Sequence, residues 1–574
     1  MKNLTKRLFS FIVAIAVSFG TFSAFSIFAS AETADQYLTD WLGIDDFLLN
    51  SEDFESITID GIKYCYANKY YSTACVFGAD KETISHGVMT IPEKITVNGV
   101  EKTVTGFATQ PLRADLDNPK YNNDFIGITR IVLPDTLEYI NLQALGTKEY
   151  PVTVVLGKNA DKIVKERHSH LKKSTQNLFE YITIDASKSD KFTIKDELLL
   201  KGNEIIAFLG GDDSYKIPSW VKKLNGFNLC DRIKSVTIPK TVEEIAERAF
   251  ADCSNIEKIT FRSRDTDILI NNFAFYKCNK VKSVTVPGKL HKDSEFAFAY
   301  MKGLQKVTFA KKFSLKKITG IFSGCSSLKS VKLPKCVKTI GRSTFSYCAF
   351  ESFTVPEQIQ SIEEGAFSVC KKLKKISLPK NLKVLGQDVF SECTKLKTVT
   401  VPKNVTSIEN LAFSRCSSLE SVKFSGNKVK QFGNDAFAYC KSLKNFTVQK
   451  NVTVLGDYVF NHAENLEKIT VCGNVKTIGN QAFSCCFDLK TLNFKGKYLK
   501  KIGEEAFVYC EKLEKITISN TKNAPKFDKT AFSNAKKGIK FYVKNKTVAK
   551  KLKANLKKVG YNSYKIYVNG QKYS

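Results

Sequence analysis

Ser361-Ile-Glu-Glu-Gly-Ala-Phe367-Ser-Val-Cys370-Lys-Lys-Leu373-Lys-Lys-Ile376-Ser-Leu378-Pro379 is the stretch that decides the fold. Twenty-three residues on, Leu385, Phe390, Cys393, Leu396, Val399 and Val401-Pro402 stand at the same offsets. The anchoring aromatic recurs at Phe227, Phe250, Phe275, Phe298, Phe322, Phe345, Phe367, Phe390, Phe413, Phe437, Phe460, Phe483, Phe507 and Phe532, with gaps of 22 to 25 residues. Self-similarity at such a period marks a solenoid in which each repeat is one coil.

Within a copy, Leu373-x-x-Ile376-x-Leu378-Pro379 reads as a short strand. Residues two apart share a face, so Ile376 and Leu378 point one way and Lys375 and Ser377 the other. Proline stops the strand because it lacks the N–H to continue a ladder. A second extended piece follows, as in Val405-x-x-Ile408 and Val475-x-x-Ile478. Glycine at Gly341, Gly386, Gly433, Gly456, Gly479 and Gly503 predicts a tight corner with positive φ. Ala-Phe-x-x-Cys then occupies a turn. No copy buries its apolar side alone, and stacked copies share one core.

The consensus Ile-Gly-x-x-Ala-Phe-x-x-Cys-x-x-Leu-x-x-Ile-x-Ile-Pro resembles the repeat of the BspA-like leucine-rich repeat proteins of bacterial surfaces. The resemblance covers roughly Phe192 to Phe532, with Met301, Ala463 and Ala535 departing from it at the cysteine position. It implies a β-rich (α/β-type), right-handed leucine-rich-repeat solenoid of about 14 regular coils with atypical capping units at both ends. It also implies a binding scaffold used in adhesion to matrix proteins, other bacteria or glycans.

In chain order, residues 1–31 read as a secretory signal peptide: Lys2, Lys6 and Arg7, an apolar run, then Ala29-Ser30-Ala31. Residues 32–56 form an acidic lead-in or cap. Residues 57–150 make an atypical strand-rich opening unit with divergent repeats, in which Asn98-Gly99 is a hairpin signal. Residues 151–219 combine an irregular segment, with a helix expected over 161–176, and a hairpin insert. Regular repeats fill 220–535. Residues 536–574 form a basic cap with a helix over Val548 to Lys558, the strand Tyr564 to Val568 and the turn Asn569-Gly570. No later segment approaches a membrane span, and no Leu-Pro-x-Thr-Gly anchor motif is visible. Export, with release or retention at the cell surface as a monomer, is the expectation.

The net charge is +31, or +28 without the three leader cations. Such an excess favours anionic partners, acidic glycans or wall polymers among them. The other reading is a solvated lysine surface that keeps strand edges from pairing. Of sixteen cysteines, eleven follow the repeat phenylalanine by three: Cys230, Cys253, Cys278, Cys325, Cys348, Cys370, Cys393, Cys416, Cys440, Cys486 and Cys510. Position and not pairing governs them, so they read as buried small apolar residues whose thiols aim at a turn carbonyl. Cys65 with Cys75 is the best candidate for a bridge. No Cys-x-x-Cys pair exists, and vicinal Cys485-Cys486 lacks ligand spacing, so no zinc or other metal is expected.

His168-x-His170 stands without accompanying ligands, and His86, His291 and His462 are scattered. No P-loop, Gly-x-Ser-x-Gly or His-Glu-x-x-His occurs. No catalytic residue and no cofactor are expected. The only place left for an enzyme is the irregular 57–190. The outward middle of the strand column is the candidate binding strip: Thr260, Thr285, Thr308, Lys332, Thr354, Ser377, Thr400, Lys423, Thr447, Thr470, Asn493 and Thr517. Threonine is also simply a good exposed strand residue. Nucleic-acid readers interleave aromatics for stacking and the strip has none, so a specific nucleic-acid partner is not expected. An extracellular protein or acidic glycan is, with an anionic wall polymer as the alternative.

Overall fold

A computed structural model describes residues 54–67, 73–79, 87–108, 125, 127–137, 139–142, 145, 150–164 and 181–573, apart from 263–267, 289, 291–293 and 521. The expected signal peptide, most of the acidic lead-in, and His86, His168, His170 and His291 lie outside these. The chain divides into two compact units, Met1–Gly210 and Gly211–Ser574.

The first unit opens with antiparallel pairing of Phe54–Ile59 with Ile62–Ala67, which pairs in turn with Thr73–Ala79. That register sets Cys65 opposite Cys75. Lys94–Val97 and Val100–Ala108 form the hairpin signalled by Asn98-Gly99, with φ of 52° and 80° at the two turn residues. Parallel pairing then takes over. Val88–Thr90, Arg130–Val132, Val152–Val155 and Ile182–Asp185 stack as four coils. These bring the total to about 18 turns, more than the 14 that the phenylalanine period counts. The phenylalanine period leaves them out because their anchors are Ile131, Val154 and Ile184, in the stretch that reads as divergent and irregular. The helix expected at 161–176 begins as a strand, Lys162–Val164, drawn into parallel pairing with Tyr139–Asn141. Its remaining residues lie outside the described ones. Phe192–Lys195, Leu198–Lys201 and Glu204–Phe208 make the antiparallel insert.

In the second unit a regular coil has three sides. On the first, strands of three to five residues pair in parallel and in register, with apolar residues inward and polar ones outward, as Thr398–Val401 shows with its exposed-buried alternation. On the second, two-residue strands such as Val454–Leu455, Thr477–Ile478 and Lys501–Ile502 pair coil to coil. The third is the turn around phenylalanine. There the N–H groups of Asp388, Phe390 and Glu392 donate to the carbonyls of Asn410, Ala412 and Ser414 at 2.9, 3.0 and 2.8 Å. The preceding coil repeats this: Gly365, Phe367 and Val369 donate to Gln387, Val389 and Ser391. Donors face the next coil and acceptors the previous one, unlike the mixed edges of a β-strand. The chain achieves this by turning residues two before and two after the phenylalanine to positive φ, as at Asp388 (56°) and Glu392 (56°), or Leu411 (58°) and Arg415 (59°).

The fourteen phenylalanines form one continuous stack with centroids 4.8–6.4 Å apart. Offset rings at this separation add attraction beyond their area burial. The corner glycines correct one expectation. None of Gly341, Gly386, Gly433, Gly456, Gly479 and Gly503 has positive φ. Proximity selects them instead: a Cβ on Gly456 would sit 2.6 Å from the Gly433 carbonyl carbon, and one on Gly386 would sit 2.6 Å from that of Glu363. Just after the corner, the side-chain oxygens of Asn434 and Asp457 accept the N–H of Asp457 and Asn480 in the next coil, at 3.0 and 2.7 Å. The helix Lys546–Lys558 starts with Asn545 capping Val548 N at 2.9 Å and buries Val548, Ala549, Leu552 and Leu556. It is the one helix among the described residues, and none is long and apolar enough to cross a membrane.

Candidate functional site

The strand side carries the candidate strip, and eleven of its twelve residues lie outward on strands. Lys332 is the exception, since residues 330–333 form no strand. The next coil departs from the repeat. The Phe345-to-Phe367 repeat is 22 residues long, and Phe350 follows Cys348 by two where other coils leave three. Phe350 packs fully buried against Phe345 and Phe353 at 5.5 and 4.8 Å, and the strand that follows, Ser352–Thr354, pairs forward with Lys375–Ser377 and not back with 330–333. Several stretches of the strip are in register: Thr285 with Thr308, Thr354 with Ser377, Thr400 with Lys423, and Thr447, Thr470, Asn493 and Thr517 in sequence. Thr285 and Thr308 share a hydroxyl–hydroxyl hydrogen bond of 2.8 Å. The Oγ1 of Thr517 is shielded from solvent. Between Lys375–Ser377 and Thr398–Val401 only Lys375 and Thr398 remain paired. The sheet splays there around a hollow of about 440 Å³ lined by Lys375, Ser377, Lys380, Thr398, Thr400 and Lys403.

The strip also runs further than the sequence reading placed it. Ile539–Val543 and Tyr564–Val568 continue the same parallel sheet, so Tyr542 and Tyr567 follow Thr517 in register. Their rings stack at 4.9 Å and 12°, with Lys515 Nζ 4.5 Å from the Tyr542 centroid. The signal was present as polar-apolar alternation in Lys540-Phe541-Tyr542 and Lys565-Ile566-Tyr567. It was masked by reading residues 536–574 as a separate cap.

The turn side holds a second, smaller ladder. Arg415 lies 4.7 Å from the Tyr439 centroid, and Tyr439 stacks on His462 at 4.7 Å and 7°. Burial lowers the His462 pKa, and Glu464 opposes that effect. Nearby, burial pushes the Asp435 carboxyl up to about 6, with Arg415 pulling it down and Asp457 adding to the rise.

The thiol column is buried, and its members are free. Ten of the thiols donate to a phenylalanine carbonyl in the preceding coil at 2.8–3.4 Å, Cys393 to Phe367 at 3.2 Å and Cys416 to Phe390 at 3.1 Å among them. The Phe367 carbonyl keeps the Cys370 N–H at 3.4 Å when the thiol is removed. Cys393→Ala is therefore expected to cost about 1 kcal/mol, a small cavity and one weak donor. Thiol titration checks the column directly. Native protein should react slowly at these positions, and unfolded, unreduced protein should show them all free. Finding them blocked after unfolding would overturn this account. Among the described residues no group of three or more His, Cys, Asp or Glu side chains stands in metal-binding proximity.

Parallel short strands, two-residue strands and a phenylalanine turn, repeated every 22–25 residues, define a leucine-rich-repeat solenoid. More narrowly, the chain belongs to the BspA-type leucine-rich repeat family, whose repeat-region model matches in six copies over residues 222–348, 314–420 and 407–540. No curated protein matches the chain at a significant level. Among solved structures it is similar to a leucine-rich repeat protein from Bacteroides ovatus, at 20% identity over 76% of this chain and 94% of that one, with a TM-score of 0.39. A leucine-rich cell surface protein from Faecalibacterium prausnitzii is 18% identical over 85% and 94%, with a TM-score of 0.27. The pneumococcal vaccine antigen PcpA is 17% identical over 90% and 98%, with a TM-score of 0.28.

Proposed function

We propose that this protein is an exported, surface-associated and non-catalytic binding scaffold, acting as a monomer, whose strand face engages an extracellular protein or acidic glycan. The observation that carries the reading is the outward face of the sheet from Asn445 to Tyr567. Its strands run in unbroken register, and its outward positions are hydroxyl, amide, ammonium and phenol groups without a carboxylate, the shielded Thr517 hydroxyl set aside. A stiff array of donors at fixed spacing recognises through many weak contacts and needs no reactive centre. Family membership supports the scaffold part of the reading.

The test is a matrix-protein and glycan array probed with the full chain, together with cell fractionation. Binding to an extracellular component and recovery outside the cytosol are expected. Recovery of the native protein only in cytosol would sink the proposal. The second reading is retention on anionic wall polymers by charge alone, which the +31 balance favours. It differs in its salt response. Exposed charges beyond a Debye length of ~8 Å are screened, so a moderate salt wash would strip a charge-held protein and leave a specifically bound one.

A further inference from the structure

The last coils of the strand side carry a cationic ladder that the repeat pattern does not require. Lys515, Lys540 and Lys565 are cross-strand partners on successive parallel strands, all exposed and all on the outward face. Strand spacing sets their Cα atoms about 4.8 Å apart. Like charges directly opposite one another on a sheet are destabilising, and no ion pair involves any of the three among the described residues. The nearest carboxylate in sequence, Glu514, pairs with Lys536 at 3.0 Å, and its charge reaches Lys540 only at longer range. Two residues along each strand, Thr517, Tyr542 and Tyr567 form a parallel row, about 6.7 Å from the lysines. No carboxylate occupies an outward position from Asn445 to Tyr567, and Lys468 and Asn493 extend the donor surface towards earlier coils.

We propose that this grid is a binding site for a linear polyanionic glycan, one carrying carboxylates or sulfates along a pyranose chain. The inference rests on the scaffold reading above and assigns it a place and a ligand class. The ammonium row neutralises a line of anions at sugar-scale spacing. The phenol O–H groups and the Asn493 amide offer hydrogen bonds to ring hydroxyls. A single-stranded nucleic acid, the other polyanion of similar charge spacing, needs free aromatic faces for its bases. The Tyr542 ring is already engaged: Lys515 Nζ lies 4.5 Å from its centroid and Tyr567 stacks on it at 4.9 Å. Its edge and hydroxyl remain, and these suit sugars.

The experiment titrates the full chain with oligogalacturonate, with a neutral dextran oligomer of equal length and with an oligothymidine. The same titrations use the triple variant K515Q/K540Q/K565Q and the control triple K383Q/K430Q/K501Q. The control removes three exposed lysines of the second side and lowers the net charge equally. Oligogalacturonate should bind the parent chain, the ladder variant should bind about tenfold more weakly or worse, and the control should change by less than about threefold. Y542F/Y567F keeps the ring stack, removes both hydroxyls and should weaken binding by about threefold. Equal loss in the two triples would reduce the effect to net charge and overturn the site. Equal affinity for dextran, or tighter, ladder-dependent binding of oligothymidine, would overturn the glycan. Array partners that bind the ladder variant undiminished would leave the scaffold standing while oligogalacturonate binding fails, which separates the two proposals.

Discussion

Phe390→Ala is expected to remove about 3–5 kcal/mol from the stability of the regular coils, the range for a fully buried aromatic reduced to methyl. Phe390 is wholly inaccessible and sandwiched between Phe367 at 5.9 Å and Phe413 at 5.5 Å. The cavity cannot close by sliding the neighbours together. Phe367 N donates to Val389 O and Phe390 N to Ala412 O, both at 3.0 Å, and these bonds fix the coil spacing. Energy in a solenoid passes between nearest neighbours. The damage should therefore stay local and split the urea transition into two, with coils on either side of residue 390 melting apart. Phe390→Leu, which refills most of the volume, should cost roughly a third as much. A single transition, shifted by under about 1 kcal/mol, would contradict the ring stack as the main support of the core.

The fold was legible because the period, the phenylalanine and the inward-outward alternation all report burial, and burial is what a one-letter pattern records. The hairpin at Asn98-Gly99 and the helix ending at Lys558 were legible for a related reason, since their turn and cap chemistry is local. What escaped depends on neighbouring coils. Leu411, Arg415 and Val369 take positive φ without being glycine. They are held there by hydrogen bonds to the next coil, so no local letter announces it. The corner glycines were read for φ when their role is clearance, and the same letter serves both. Lys332 stands at the strand position of its own repeat, yet residues 330–333 pair with neither Lys306–Phe309 nor Ser352–Thr354.

The candidate site shows the same limit. The row Thr447, Thr470, Asn493, Thr517 could be read from spacing alone. Its continuation into Tyr542 and Tyr567 could not, because the strands that carry them fall outside the phenylalanine period. They join the sheet only through parallel pairing with Lys515–Ile518. The hollow between Ser377 and Thr400 is likewise invisible in sequence, since it arises where all but one cross-strand pair is lost. Alternation fixes which face a residue takes, and pairing fixes which coils lie together on it.

Raising the pH is expected to dismantle the regular coils more steeply than any single substitution. Burial pushes the thiols of Cys325 and Cys370 up to about 12, and it raises those of Cys393, Cys416 and Cys440 well above the usual thiol range. In the unfolded chain a thiol ionises near pH ~8.5. Above that pH the unfolded state has lost protons that the folded state still holds, so unfolding stability falls as pH rises. The contribution is whole below pH ~8.5 and drains away as the pH climbs towards the folded values. Each thiol accounts for about 1.4 kcal/mol per pH unit. Cys370, Cys393, Cys416 and Cys440 occupy four consecutive coils, which together should lose roughly 5–6 kcal/mol per unit if they unfold as a block. Half-buried Tyr561, raised by burial to about 12, acts in the same direction. The check is Tm against pH from 8 to 11 under reducing conditions, for the parent chain and for C370A/C393A/C416A/C440A. The quadruple variant should be the less stable at pH 8, by about 1 kcal/mol per cysteine. Its curve should be flatter and should cross that of the parent near pH ~9.5, after which the variant is the more stable. Two parallel curves would mean that the thiols ionise without unfolding the coils, and the buried, protonated column would have to be abandoned.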